Sequence, residues 1–250
     1  MTITSATPRL AAPRTGDGID PHPGQTDQPQ NNVEALPAPD FVDISRHNGK
    51  VDWKEYAAAG KKVGVCKITE GGDWLDAMAA TNREGMKNNN LRCGLYHFAG
   101  SSGGGYINDA DKEADNYLSR VGTMADNEFP VLDFEMVYGQ TGPEMTSWIS
   151  KWCTRIEQQT GKTPWLYTNH RIRRQLDGTN LTRYPLWIAD YRSSDRENPP
   201  ASQPWPNLFA WQYSEKASSP GVPATCDGNF LYGTLPEVTP PPPSGGFVAI

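Results

Sequence analysis

The stretch "TRYPLWIADYRSSDRENPPASQPWPNLFAWQYS", residues 182–214, decides how this α/β chain closes its sheet. Two runs in it, "YPLWIADY" (184–191) and "NLFAWQYS" (207–214), have the length and the aromatic and branched content of strands. The segment between them is rich in proline, which lacks an N–H and clashes with the preceding helical turn. Two successive strands are therefore expected with no long helix between them. Upstream the texture differs. "FVDIS" (41–45), "KVGVCKITEG" (62–71), "LRCGLYHFAG" (91–100), "FPVLDFE" (129–135) and "TPWLYTNH" (163–170) read as strands. Helix-capable segments separate them: "DWKEYAAAG" (52–60), "WLDAMAATNREGMKNN" (74–89), "DADKEADNYLSRV" (109–121) and "EMTSWISKWCTRIEQQTG" (144–161). The glycines that end the first and last of these are usual helix stops. Alternating strands and helices build right-handed βαβ units on a parallel sheet. A doubly wound sheet would need helices to the end of the chain. The fold class expected is α/β, an irregular TIM-like barrel of about five β/α units followed by three closing strands.

The chain has 250 residues, 36% of them hydrophobic, enough for one sizeable core. Residues 1–38 are rich in Pro, Gly, Gln, Asn and Thr and read as a disordered leader or linker. The barrel domain is expected over 39–238, and "TPPPPSGG" opens a Pro-rich linker or tail over 239–250. A spacer of that kind suggests further modules. No apolar run approaches the ~20 residues of a membrane span. The start lacks the apolar core of a secretory signal, so the chain is expected in the cytoplasm of its cell until released by another route, or outside the cell if a signal was removed. The net charge of −6 comes without a basic cluster that would track phosphates, which argues against a nucleic-acid partner. Cys66, Cys93, Cys153 and Cys226 have neither C-x-x-C spacing nor the density of a disulfide scaffold. Cys66 and Cys93 lie in strand-like runs, where cysteine is usually a small buried hydrophobe.

"FPVLDFEM" (129–136) ends an apolar run in two carboxylates two residues apart. In a strand such residues share a face, so Asp133 and Glu135 project together while Phe134 turns away. Adjacent acids repel when both are ionised, and one retains its proton to higher pH. Glycosidic bond cleavage uses a poised pair of this sort. The plain alternative is a solvated acidic junction between strand and loop. More acids stand at the ends of other strands: Asp43, Glu70 and Asp190, with Asp227 in the loop-like "CDGNFLYG" beyond the seventh strand. Chemistry in a parallel barrel collects at those C-terminal ends. Lys67, inside "VGVCKIT", is costly to bury unless paired with such acids. Taken singly, Asp227 is equally a turn former before Gly228, and Asp190 a solvated strand end.

Aromatic side chains crowd the same ends: Tyr96, Phe98, Tyr167, Trp187, Tyr191, Trp211 and Tyr213, with Gln212 beside Trp211. Amphipathic rings lining a polar groove suit sugar faces, although any one of them fits a core equally well. His97 in "LYHF" reads as a hydrogen-bonded core histidine. His22, His47 and His170 make no metal spacing with it, and neither a cofactor nor a metal is expected. "SSGGG" (101–105) lacks the Lys-Ser/Thr of a phosphate loop, and no G-x-S-x-G marks a nucleophilic serine.

Taken in order, "FVDISRHNGKVDW", "KITEGGDW", "LYHF", "PVLDFE", "PWLYT", "PLWIADY", "AWQYS" and "CDGNFLYG" resemble glycoside hydrolase family 25, the Chalaropsis-type lysozymes common among phage endolysins. The resemblance runs from Phe41 to about Val238. It implies an eight-stranded barrel. It also implies retaining cleavage of the β-1,4 bond from N-acetylmuramic acid to N-acetylglucosamine in peptidoglycan, by a monomer. On its motifs, Glu135 matches the general acid/base, Asp133 its partner acid, and Asp43 and Asp227 the other groove carboxylates. Lys67 and Glu70 match polar pocket residues. Tyr96, Phe98, Tyr167, Trp187, Asp190, Tyr191, Trp211 and Gln212 are the candidate substrate contacts. "RHN" and "SSGGG" depart from the family pattern without touching the acids. Retention leaves two routes open: attack by a carboxylate, or assistance by the sugar's 2-acetamido group with Asp133 orienting it. Two other functions compete, a wall-binding module without catalysis and a hydrolase using the acids as metal ligands.

Overall fold

The computed structural model describes residues 36–101, 105–176 and 180–235. The expected leader and tail fall almost wholly outside this range, as do Ser102, Gly103 and Gly104 of the glycine-rich loop. The chain runs β1 (Phe41–Ile44), α1 (Trp53–Ala58), β2 (Val63–Glu70), β3 (Trp74–Leu75), α2 (Ala79–Asn88), β4 (Arg92–Phe98), α3 (Ala110–Val121) and β5 (Glu128–Asp133). It continues through α4 (Gly142–Thr160), β6 (Trp165–Asn169), α5 (His170–Arg173), β7 (Leu186–Ala189), β8 (Ala210–Ala217) and β9 (Cys226–Leu231). The strands order as β1-β9-β8-β7-β6-β5-β4-β2-β3, and β1 also pairs with β2. That last pairing closes an eight-stranded barrel and leaves β3 outside it. Five strands are each followed by a helix, the fifth a single turn, and β7, β8 and β9 complete the circle. The expected architecture holds.

Two elements differ from the sequence reading. The helix expected over 74–89 begins only at Ala79, because Trp74–Leu75 folds back as an antiparallel strand on β2. Gly71, at φ 53°, allows that reversal. Asp76 then turns the chain ahead of the helix by accepting the Met78 N–H at 2.8 Å. The second difference is β9. "CDGNFL" has the composition of a turn, yet it pairs antiparallel with both β1 and β8. Barrel closure overrides local preference here. Gly228 supplies the room: a Cβ there would stand 2.5 Å from Ala217 and 2.9 Å from the Tyr213 hydroxyl.

Strand alternation sorts the core into layers. Phe41, Val63, Val65, Phe129, Val131, Trp165 and Trp187 fill the barrel interior. Phe129 stacks on Trp165 at 4.2 Å. Their sequence neighbours Val42, Cys66, Leu95, Leu132 and Leu166 face outward against Trp53, Tyr56, Met86, Tyr117 and Trp152. Among the described residues no long helix covers β7 to β9 on the outside. Ile188, Trp211, Tyr213 and Phe230 form a separate apolar patch there. Arg196 from the β7–β8 connection lays its guanidinium 5.0 Å over Phe230 and bonds Asp40 at 2.8 Å. All four cysteines are buried and free, as the strand-like runs of Cys66 and Cys93 suggested for those two.

Candidate active site

Acids reach the mouth of the barrel from four strands, β1, β2, β5 and β9. Asp133 ends β5, and extended pairing continues past it: the Phe134 N–H donates to Tyr167 O at 3.0 Å, and Thr168 Oγ1 donates to Phe134 O at 2.7 Å. Alternation therefore persists. Phe134 packs in the outer layer beside Trp148, while Asp133 and Glu135 turn inward. Asn169 Nδ2 donates to the Glu135 carbonyl at 2.9 Å and fixes its backbone. Asp43 lies on β1 directly opposite Asp227 on β9. Because β9 runs antiparallel, its first residues meet the C-terminal end of β1. A loop residue in the sequence reading becomes the partner of Asp43 across a ladder.

Asp43 sits at the centre of a polar network. Asn229 Nδ2 donates to it at 2.7 Å and Gln212 Nε2 at 3.0 and 3.1 Å. The Gln212 carbonyl accepts from Tyr167 at 2.8 Å and from Tyr191. Trp187 donates to Asn229 Oδ1 at 2.9 Å. Phenol and indole donors thus fix both amides, and both amides aim N–H groups at one carboxylate. Burial still raises Asp43 to about 6, against those donors. Asp227 is raised well above the usual range, first by burial and then by Asp43. Since the two carboxyls bond each other, Asp227 keeps the proton and donates it to Asp43. Donors already occupy Asp43, so its setting is that of a hydrogen-bond acceptor. Among the described residues, no three His, Cys, Asp or Glu side chains form a group that could hold a metal ion.

Asp133 is also raised well above the usual range, by burial and then by Glu135, with Lys67 opposing. Its Oδ1 is buried and has no hydrogen-bond partner among the described residues. Lys67 bonds Glu70 at 2.7 Å across three residues, a spacing strand alternation alone would forbid. A bulge between Lys67 and Thr69 inserts one residue and returns both side chains to one face. The Lys67 ammonium stands 4.6 Å over Phe98, 5.2 Å over Trp74 and 6.0 Å over Tyr96. Paired and held against rings, the buried lysine is accounted for. Tyr96 is half-buried, and its hydroxyl is raised by burial and by Asp133, Asp43 and Asp227.

The structure thus brings Glu135, Asp133, Asp43, Asp227, Lys67, Glu70, Tyr96, Phe98, Tyr167, Tyr191 and Gln212 to one mouth. Trp187 is 2% exposed and acts through Asn229, not as an open sugar platform. Two expected contacts point elsewhere. Trp211 faces outward on β8, packs against Tyr213 and Phe230, and bonds the Asp190 carbonyl at 2.7 Å. Asp190 follows inward-facing Ala189 and so turns out. Burial pushes its carboxyl up, but Arg192, 2.8 Å away, outweighs this and holds it low. Residue parity within each strand explains both corrections. Asn229 escaped the sequence reading, although its place two residues from Asp227 puts it on the same face.

The model for glycosyl hydrolases family 25 matches residues 42–222. The chain belongs to this family. Lysozyme M1 of Streptomyces globisporus is 28% identical over 205 residues, covering 77% of this chain and 67% of its own. A muramidase from Trichobolus zukalii superposes with a TM-score of 0.65 at 26% identity, over 80% of this chain and 95% of that one. A bacterial lysozyme from Streptomyces coelicolor shares the fold with a TM-score of 0.69, at 24% identity, over 81% and 94%.

Proposed function

We propose that the chain is a peptidoglycan hydrolase that cleaves the β-1,4 bond from N-acetylmuramic acid to N-acetylglucosamine with retention. Family membership and muramidase relatives support the reaction class. One observation carries the assignment of roles: Asp133 Oδ1 is buried beside Glu135 without a donor among the described residues. An unsatisfied buried acceptor costs ~1–3 kcal/mol unless a ligand supplies the missing donor. The N–H of a 2-acetamido group is such a donor. When it binds Asp133, the ionised form of that carboxyl is favoured, and the proton of the pair goes to Glu135. Glu135 then protonates the glycosidic oxygen as the acetamide oxygen attacks the anomeric carbon and the bond to the leaving sugar breaks. Ionised Asp133 stabilises the resulting oxazolinium. Glu135, now a base, takes a proton from water as it adds to that carbon and reopens the ring.

A digest of purified peptidoglycan by wild type, Glu135→Gln and Asp133→Asn, followed by mass spectrometry, tests this reading. Wild type should leave new reducing ends on muramic acid. Glu135→Gln should be slower by ~10²–10⁴, and Asp133→Asn slow but active, since an amide oxygen still accepts the acetamide N–H. Reducing ends on glucosamine, or full activity of Glu135→Gln, would overturn it. Binding to the wall without cleavage by wild type would instead favour the wall-binding reading.

A further inference from the structure

Beside the carboxylate mouth lies a hollow of opposite sign. α5 follows β6 directly, and the hollow at its foot is lined by His170, Arg171, Arg174, Gln175, Asp190 and Arg192. An adjoining hollow shares His170 and Arg174 and adds Arg173, which is 4% exposed. Asp190 is neutralised by Arg192. Among the described residues no carboxylate pairs with Arg171 or Arg174, and both are exposed. His170 is depressed by burial and then by Arg173 and Arg192, as expected in a positive field. This cluster sits on a chain of net charge −6, one residue from Asn169, whose side chain holds the Glu135 backbone.

The setting supplies a reason for it. A groove with five carboxyls, of which Glu70 is paired with Lys67, repels a polymer that itself carries carboxylates, and a cationic flank offsets that repulsion while fixing register. We infer that the His170–Arg171–Arg174–Arg192 hollow is a subsite for a stem-peptide carboxylate of the wall polymer. Arginine suits it, because its planar fork meets a carboxylate through two parallel N–H bonds. The choice of polymer rests on the function proposed above. The hollow itself does not depend on which glycan bond is cut.

The test compares wild type with the Arg171→Gln/Arg174→Gln double variant on two substrates: intact sacculi, and glycan strands freed of stem peptides by an amidase. On sacculi KM should rise ~3–10-fold, the loss expected from one or two partly screened charge contacts. The value of kcat should hold, and the variant should lose part of wild type's salt sensitivity. On peptide-free strands the two proteins should match, which also shows that the variant is folded. Equal KM on sacculi overturns the subsite. So does a difference that persists on peptide-free strands, or one abolished only by stripping phosphate polymers from the wall. Should wild type cut neither substrate, the hydrolase reading fails, and co-sedimentation with the two polymers still decides the subsite by the same comparison.

Discussion

Asp43 and Asp227 face each other in register at the barrel mouth, and burial makes their joint ionisation costly. The consequence for stability has a definite sign. Asp43 is raised from 3.8 to about 6 in the folded protein, so between those values the unfolded chain releases a proton that the fold retains. Stability from this group is therefore present at low pH and declines as pH rises from about 4 to 6, by roughly 3 kcal/mol at ~1.4 kcal/mol per pK unit. Asp227, raised by the same causes, extends the decline upward. Asp227→Asn removes the like-charged neighbour, and its amide can still donate to Asp43. Its melting temperature should exceed that of wild type by several degrees at pH 7.5, and by clearly less at pH 4.5. A gain independent of pH would show that the pair stores no repulsion. The acids themselves were legible in the sequence, because charges closing apolar strands have few structural uses. The amide network of Asn229 and Gln212 was not, since the two come from separate strands, β9 and β8, that only barrel closure brings to the side of β1.

α3 is legible from its apolar period, but its main task is invisible there. Glu113, wholly buried, accepts the N–H of Gly100 and of Asn108, each at 2.8 Å, and bonds His97 Nε2 at 2.9 Å. The other nitrogen of His97 meets Thr69 Oγ1 at 2.8 Å. One carboxylate thus ties the segment after β4 to the helix that follows it. Asn116, one turn on, donates to the carbonyls of Gly71 and Trp74 at 2.9 and 3.2 Å and ties down the β2–β3 turn. Glu113→Gln replaces one acceptor oxygen by a donor and leaves one buried N–H without a partner. The cost should be ~1–3 kcal/mol. Hydrogen exchange at Gly100 and Asn108 should quicken ahead of the rest of the barrel, and unchanged exchange at both would assign Glu113 no part in holding the segment. Patterning found the long helices for the reason it missed β3 and β9. A repeated period signals an element that packs by its own face, whereas two-residue β3 and turn-like β9 are strands only because a neighbour offers a free edge.

At the scale of the molecule, contacts of the barrel reach Pro37, two residues before the boundary expected at 39. Residues 1–38 read as one uniform leader, yet Tyr213 donates to the Pro37 carbonyl, Lys61 to the Pro39 carbonyl, and the Asp40 N–H to Asn229 O at 2.8 Å. Backbone contacts of this kind carry no side-chain signature, so proline-rich sequence conceals them. Residues 37–40 lie beside β9 and the outer patch of Tyr213 and Phe230, the side of the barrel that lacks long helices. Asp40 in turn anchors Arg196, which covers that patch. Two deletions separate leader from barrel. A chain starting at Leu36 keeps every one of these contacts and should match the full chain in melting temperature and in activity on soluble glycan fragments. A chain starting at Phe41 loses all of them and frees Arg196 from Asp40. It should melt lower by roughly 4–12 °C, the equivalent of ~2–3 kcal/mol in a domain of this size. Equal melting of both deletions would place the boundary at β1, two residues after the one composition gave, and a drop already at Leu36 would mean that the first 35 residues contribute to the fold.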